Sequence, residues 1–332
     1  MDHVSLAHGN GGRLMRELIE QVFKRRLGRD SLDTDSDAVA MPLGEGEPII
    51  TTDGFTVQPL EFPGGDIGSL AVHGTVNDLS VAGADPLYLT LNAFIEEGLP
   101  IETLDRLITS MAVAAREAGV HILAGDTKVV PRGQGGGLYL ATTGVGLRPA
   151  GLQLGMDRIR DGDVILVSGP VGDHGIAVML AREQFGLRGD VTSDSACVLP
   201  LTQALRALPG VRFMRDPTRG GLATVMHEIR EATGFGVRLR AADVPVRDPV
   251  GAVCEMLGYD PLYLACEGRV VAVLAPEAAE QALALWRSMP AGAEAALIGQ
   301  VSAAAGRVVL ETALGGERVL EELEDDPLPR IC

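Results

Sequence analysis

The sequence predicts an α+β protein of two domains, and three observations carry that expectation. The chain has 332 residues and is 46% hydrophobic, enough to bury a sizeable core in each of two domains. Helical and strand-like patterns alternate loosely in both halves, with hairpin-like pairs between them, where a doubly wound parallel sheet would alternate more strictly. A break falls at residues 148–160, giving an N-terminal domain at 1–150, a C-terminal domain at 151–320 and a mobile tail at 321–332.

In the first half, Leu14, Leu18 and Val22 recur at helical spacing and predict a helix over 11–27. The acidic stretch DSLDTDSDAVAMPLGEGEP follows, then a short strand, PIITTDG, ending in Asp53 and Gly54. A helix is expected over 66–83, a strand from Leu87 to Ile95, and a long amphipathic helix over 101–118. HILAGD and GLYLATTGVGL read as strands, and PRGQGGG between them as a mobile loop. The second half opens on the buried strand DVILVSG and a Gly-rich turn before a helix at 175–183. Further helices are expected at 195–207, 220–233, 248–257 and 276–288. Strands are expected near Val237–Leu239, Tyr263–Ala265, Val270–Leu274, Ala296–Val301 and Val308–Leu310.

Bulk properties exclude several classes. A net charge of -17 argues against a nucleic-acid or anionic-membrane partner, both of which need a basic footprint. Apolar runs are broken by Gly, Pro or charge before they reach a membrane span. The opening MDHVSLAHGNGG has no basic region followed by an apolar stretch, so the cytoplasm is the expected compartment. Four cysteines without a C-x-x-C pair suggest neither a disulfide framework nor a zinc site. Cys197, Cys254 and Cys266 read as packing residues, whereas Cys332 follows a stiff Pro-x-Pro spacer in PLPRIC, behind five carboxylates in EELEDD. A prenylation signal needs its cysteine four from the end, so Cys332 is no such signal.

The basic residues are nearly all arginine, the lysines being Lys24 and Lys128. Lys24 fits a solvated helix face. Lys128 stands two residues after Asp126 in AGDTKVV, and lysine, unlike arginine, can exchange a proton. No Walker loop, Rossmann fingerprint or H-E-x-x-H motif occurs. Instead, aspartates recur at turns: Asp37, Asp53, Asp126 and Asp216, with Asn77 and Asp78 interrupting an apolar helix. Singly, each is a turn former or a cap. Gathered at strand ends they would suit Mg²⁺, a hard cation shared with phosphates. HGNGG, with His8, Gly9, Gly11 and Gly12, could bring backbone N–H groups to those phosphates.

HGNGG, VNDLSVAGADP, AGDTKVV, SGPVGDHGI, RDPTRGGL and PRIC together resemble the HypE family of hydrogenase maturation factors, the carbamoyl dehydratases, across almost the whole chain. VNDLSVAGADP and DPTRGGL also resemble the wider aminoimidazole-ribonucleotide synthetase (PurM-like) superfamily. The resemblance implies a two-domain PurM-like fold whose N-terminal domains pair into a barrel-like homodimer, with ATP near the interface. It implies that the carbamoyltransferase HypF loads Cys332, and that ATP-driven dehydration turns the S-carboxamide into a thiocyanate. The cyano group then passes to iron on a HypC–HypD scaffold.

On this resemblance Lys128 and Glu267, in LACEGR, act as bases. His8 to Gly12, Asn77 and Asp216 join the nucleotide site, and Asp37, Asp53, Asp78 and Asp126 hold Mg²⁺ and phosphate. Selenophosphate synthetase and thiamine-monophosphate kinase are the rivals within the superfamily. The first usually has an N-terminal reactive cysteine, absent before Cys197, and the second has no use for a terminal thiol. A thiol carrier without catalysis is the rival outside it.

Overall fold

The computed structural model describes residues 2–10, 12–28, 38–182, 189–312, 314–324, 328, 331 and 332. The chain divides into two compact units, one of residues 1–79 and 84–150 with Cys332, the other of residues 80–83 and 151–331. Asp37 and Gly11 lie outside the described residues, as does the first part of the acidic stretch, residues 30–37.

The first unit opens with α1 (Arg13–Leu18), continued by a π-helical stretch (Ile19–Lys24) and the short α2 (Arg25–Leu27). Next come β1 (Glu47–Phe55), the two-residue strands β2 (Glu61–Phe62) and β3 (Gly65–Asp66), α3 (Ile67–Val81), β4 (Asp85–Glu96) and α4 (Ile101–Glu117). β5 (His121–Val130) and β6 (Leu138–Arg148) complete it. The sheet runs β1-β6-β4-β5, antiparallel except for the parallel β4–β5 pair. Strand alternation sends Leu89, Leu91, Ala93, Ile95, Leu138 and Leu140 to one buried face.

α3 packs against that face. Thr75 and Leu79 lie against Gly144 of β6, and Gly74 against the ring of Phe55 in β1. α3 is apolar nearly all round and is buried nearly all round, as such a helix must be. Burial lowers the pKa of its His73 to about 4 and keeps the ring neutral. The opposite sheet face stays open, with Ile50 71% and Phe94 40% exposed.

The 131–137 segment, expected as a mobile loop, is fastened. Both carboxylate oxygens of Glu96 accept main-chain N–H bonds, from Gly133 and from Gly137, and these bonds hold the Glu96 carboxyl below its ordinary pKa.

The second unit contains β7 (Val164–Val167), α5 (Asp173–Ala181), α6 (Leu199–Arg206), β8 (Val211–Arg215), α7 (Gly221–Thr233), β9 (Gly236–Arg240) and α8 (Asp248–Leu257). It ends with β10 (Val271–Leu274), α9 (Ala279–Arg287), β11 (Ala296–Ser302), β12 (Val308–Glu311) and β13 (Glu317–Val319). Its sheet runs β13-β12-β9-β11-β7-β10-β8, with β12–β9 the parallel pair. Central strands β7 and β10 are continuous apolar runs because both faces are covered. Ile165, Val167, Val271 and Val273 pack with α7, whereas Leu166, Ala272 and Leu274 pack with α6 and α9 around Trp286.

Two strand expectations change. Tyr263–Ala265 is no strand: Asp260 accepts the N–H of Leu262 and Pro261 starts a 3₁₀ turn (Pro261–Tyr263). Val211–Arg215, unforeseen, is an edge strand whose arginines mask its alternation.

Trp286 is fully buried and its indole N–H donates to Leu201 O at 3.0 Å. Trp286→Ala is expected to cost about 3–5 kcal/mol. Urea unfolding should register this as a lower midpoint.

Candidate active site

Sheet parity decides where the predicted carboxylates stand. Asp53 faces the covered side of β1, opposite buried Thr142. A β-carbon on Gly74 would lie 3.7 Å from its Oδ2. Asp78, one helical turn after Gly74, accepts from Thr51 Oγ1 at 2.8 Å. Thr51 and Asp53 share a strand face, so Asp53 and Asp78 are neighbours between β1 and α3. Asn77, beside them on α3, is buried. Asp78 thus interrupts the apolar run of the helix where it meets a partner on β1.

Asp126 stands elsewhere. It pairs with exposed Asn92 on the open face of the sheet, and Lys128 pairs with Phe94 on the same face. β5 and β1 are opposite edges, three strand spacings or about 14 Å apart. Asp53 and Asp78 therefore cannot share one ion with Asp126 inside one chain. Of the four carboxylates expected to hold the metal, Asp126 is thus set apart from Asp53 and Asp78 within one chain, and Asp37 lies outside the described residues. Among the described residues no three His, Cys, Asp or Glu side chains are grouped to hold a metal.

Lys128 and Asp126 form an ion pair, Nζ to Oδ2 at 2.5 Å. The Lys128 ammonium, helped by the Thr127 N–H, lowers the Asp126 pKa against a smaller opposing effect of burial. The HGNGG segment lies against the same strand: a β-carbon on Gly9 would touch Val129 at 3.0 Å. His8 is buried, its Nδ1 accepting the Ser5 N–H at 3.0 Å, and Gly12 is the N-cap of α1. His8 and Gly9 thus lie along the strand that carries Lys128.

Cys332 is 9% exposed. Its main-chain oxygen accepts from Thr56 N–H at 3.1 Å and from Thr56 Oγ1 at 3.2 Å. Thr56 is three residues beyond Asp53, so the thiol-bearing residue is moored at the end of the strand that carries this carboxylate.

In the second unit, the segments RDPTRGGL and LACEGR interlock. Cys266 N–H donates to Pro217 O at 3.0 Å. Gly220 and Gly221 both have positive φ, +71° and +59°, and a β-carbon on Gly221 would strike Leu264 O at 2.5 Å. Only glycine fits there. Buried Asp216 and buried Glu267 are thereby placed on adjoining loops. Asp194, which the sequence reading did not single out, receives the N–H groups of Glu267 and Gly268 at 3.1 and 3.3 Å and so positions the Glu267 backbone.

Arg269 lies 3.4 Å from both Asp173 and Asp194, and Arg247 lies 3.1 Å from Asp173. Burial and then the Asp194 charge push the Asp173 pKa up to about 6 against these arginines. His174 is fully buried, with Nδ1 2.8 Å from Ser193 Oγ and Nε2 2.8 Å from the Ile331 carbonyl. With Asp194, His174 and Thr56 are the residues of the candidate site that sequence reasoning missed. For His174 the motif GDHG was the available signal. The internal cysteines are packing residues as expected: burial pushes the Cys254 thiol to about 11 and that of Cys266 well above its ordinary value.

Residues 35–148 match the family "AIR synthase related protein, N-terminal domain", and residues 160–311 match its C-terminal domain. The chain is 48% identical to carbamoyl dehydratase HypE of Azotobacter vinelandii over 331 residues, 99% of this chain and 97% of that protein. Among solved structures, hydrogenase maturation protein HypE in complex with ATP superposes with a TM-score of 0.93 at 46% identity, covering 99% of each chain. A HypE–HypF complex gives 0.81 at 41% identity, covering 94% of this chain and 100% of that one.

The Asp126–Lys128 pair has a titration signature. A carboxyl held low by a partner stabilises the fold above its unfolded pKa, and that contribution is lost as pH falls through the folded value. In Lys128→Ala the Asp126 carboxyl is expected to titrate at higher pH, read from its ¹³C chemical shift. An unchanged titration would mean that the ion pair does not form in solution.

Proposed function

The chain belongs to the HypE family of hydrogenase maturation proteins, carbamoyl dehydratases, and from that membership we propose that it is an ATP-dependent dehydratase acting on its own Cys332. The S-carboxamide on that thiol becomes a thiocyanate, the source of the cyanide ligand of a nickel–iron hydrogenase. The observation that carries the reading is the mooring of Cys332 on Thr56, three residues along the chain from Asp53, which neighbours Asp78.

The donor set fits the chemistry. Asp53 and Asp78 offer adjacent carboxylate oxygens, which suit a Mg²⁺ that keeps several waters and takes the rest of its ligands from phosphates. When bound, the ion would neutralise charge on the transferring phosphoryl group. The His8–Gly12 segment would supply N–H donors to phosphate oxygens, and Asn77 and Asp216 complete the proposed nucleotide contacts. Asp126 fixes the Lys128 ammonium, which is suited to counter phosphate charge. Lys128 is also kept, with Glu267, as a proposed base.

The carbamoyl oxygen attacks the γ-phosphorus, ADP leaves, and phosphate departs carrying that oxygen. The nitrogen gives up its two protons as the carbon–nitrogen bond becomes triple. Glu267, buried and set in place through Asp194, is the base proposed to receive one of them, and the other leaves on the departing phosphate.

HypF is the proposed loading partner, in line with the HypE–HypF complex among the similar structures, and a HypC–HypD complex is the proposed acceptor. Among the described residues no helix is long and apolar enough to cross a membrane, and the proposed compartment is the cytoplasm. The open apolar sheet face supports a homodimer: burying Ile50 and Phe94 against a second copy removes apolar surface from water. Ile50→Glu is expected to shift the protein towards monomer in sedimentation velocity, and an unchanged mass would remove this face as the interface.

The intact mass of protein incubated with a carbamoyl-loading partner, carbamoyl phosphate and Mg-ATP tests the reaction. A carbamoyl adduct on Cys332 is expected, losing one water only as ATP is hydrolysed, and Cys332→Ala should gain none. Glu267→Gln should load normally and dehydrate about 10²–10⁴-fold more slowly. An adduct that forms and stays hydrated in the wild type would make the chain a carrier instead.

A further inference from the structure

A hydrogen-bonded chain in the second unit has no part in the proposed bond-making steps. Ser195 N–H donates to Ser193 Oγ at 3.0 Å. Ser193 Oγ lies 2.8 Å from His174 Nδ1, and His174 Nε2 lies 2.8 Å from the carbonyl oxygen of Ile331. The carbonyl decides every role in the series. It can only accept, so Nε2 carries the proton; burial lowers the His174 pKa and favours the neutral ring, so Nδ1 accepts and the Ser193 hydroxyl donates to it. Ser193 receives one bond from backbone and passes one on, which leaves the imidazole a single orientation.

The bond ends on the main chain of the residue before Cys332. Ile331 itself is 2% exposed. Consecutive Cα atoms are about 3.8 Å apart, so fixing the Ile331 carbonyl leaves Cys332 the freedom of one residue. We propose that His174, oriented by Ser193, is a latch: a positioning residue that holds the Ile331 carbonyl and sets how often the Cys332 thiol is presented to solvent. The inference rests on reading Cys332 as the substrate-carrying thiol. It adds that loading and dehydration draw on opposite positions of one latch.

A single neutral buried hydrogen bond shifts such an equilibrium by about five- to tenfold. The test is the rate at which a maleimide labels each cysteine of the full chain, resolved by peptide mass, without ATP. His174→Ala is expected to speed labelling of Cys332 about five- to tenfold while Cys254 and Cys266 stay as slow as in the wild type. Ser193→Ala, which removes only the orienting donor, should give a smaller rise at Cys332. His174→Gln should restore slow labelling, because its amide nitrogen can donate where Nε2 does.

Wild-type labelling of Cys332 in both His174→Ala and Ser193→Ala would overturn the latch. So would a parallel rise at all the cysteines, which marks general loosening. Failure of loaded wild-type protein to dehydrate with ATP would instead overturn the proposed function and leave the labelling result standing.

Discussion

A β-strand sends successive side chains to opposite faces, and in the first unit that parity governs everything placed around the sheet. It turns Asp53 under α3, where Asp78 can reach the same space, and turns Asp126 and Lys128 outward on the far edge. Moving β1 by one residue would reverse both its apolar face and its carboxylate. Core and chemistry therefore share one register. The close approach of Gly74 to Phe55 and of Gly144 to Thr75 fixes it from the helix side.

In the second unit the governing requirement is that buried polar groups be paired. Asp173 and Asp194 sit close enough for one to raise the other's pKa, and Arg247 and Arg269 hold the pair in place. Breaking such a cluster by removing one partner leaves an uncompensated charge and is far more damaging than its net contribution suggests. The cluster also carries information. Through Asp194 it sets the loop that bears Glu267, and the helix beginning at Asp173 carries His174.

What the sequence made legible follows the range of the forces involved. Helices α3, α4 and α8 and the apolar strands β7 and β10 were readable because periodicity is local. Tyr263–Ala265 misled because three apolar residues look like a strand until Asp260 and Pro261 impose a turn. Val211–Arg215 hid behind its arginines. Asp53 and Asp78 could be named as candidate ligands, but their separation from Asp126 depends on which edge each strand takes. The partners of the tail were out of reach: His174 and Ile331 are 157 residues apart, and Thr56 and Cys332 are 276 apart. The motif resemblance supplied Lys128 and Glu267, which composition and spacing left ambiguous.

Under the proposed function, in which Cys332 carries the reacting group, its mooring on Thr56 has a kinetic meaning. A reactant covalently carried by its own catalyst meets the site at an effective concentration of roughly millimolar or more, whatever the concentration of free carbamoyl compounds. Competitive inhibition by such compounds is correspondingly weak, and the dehydration step has no Michaelis constant for the carried group. Only ATP saturates it. Control of flux then passes from substrate supply to the occupancy of a single thiol, and the protein behaves as a counted reagent that is reloaded between turnovers.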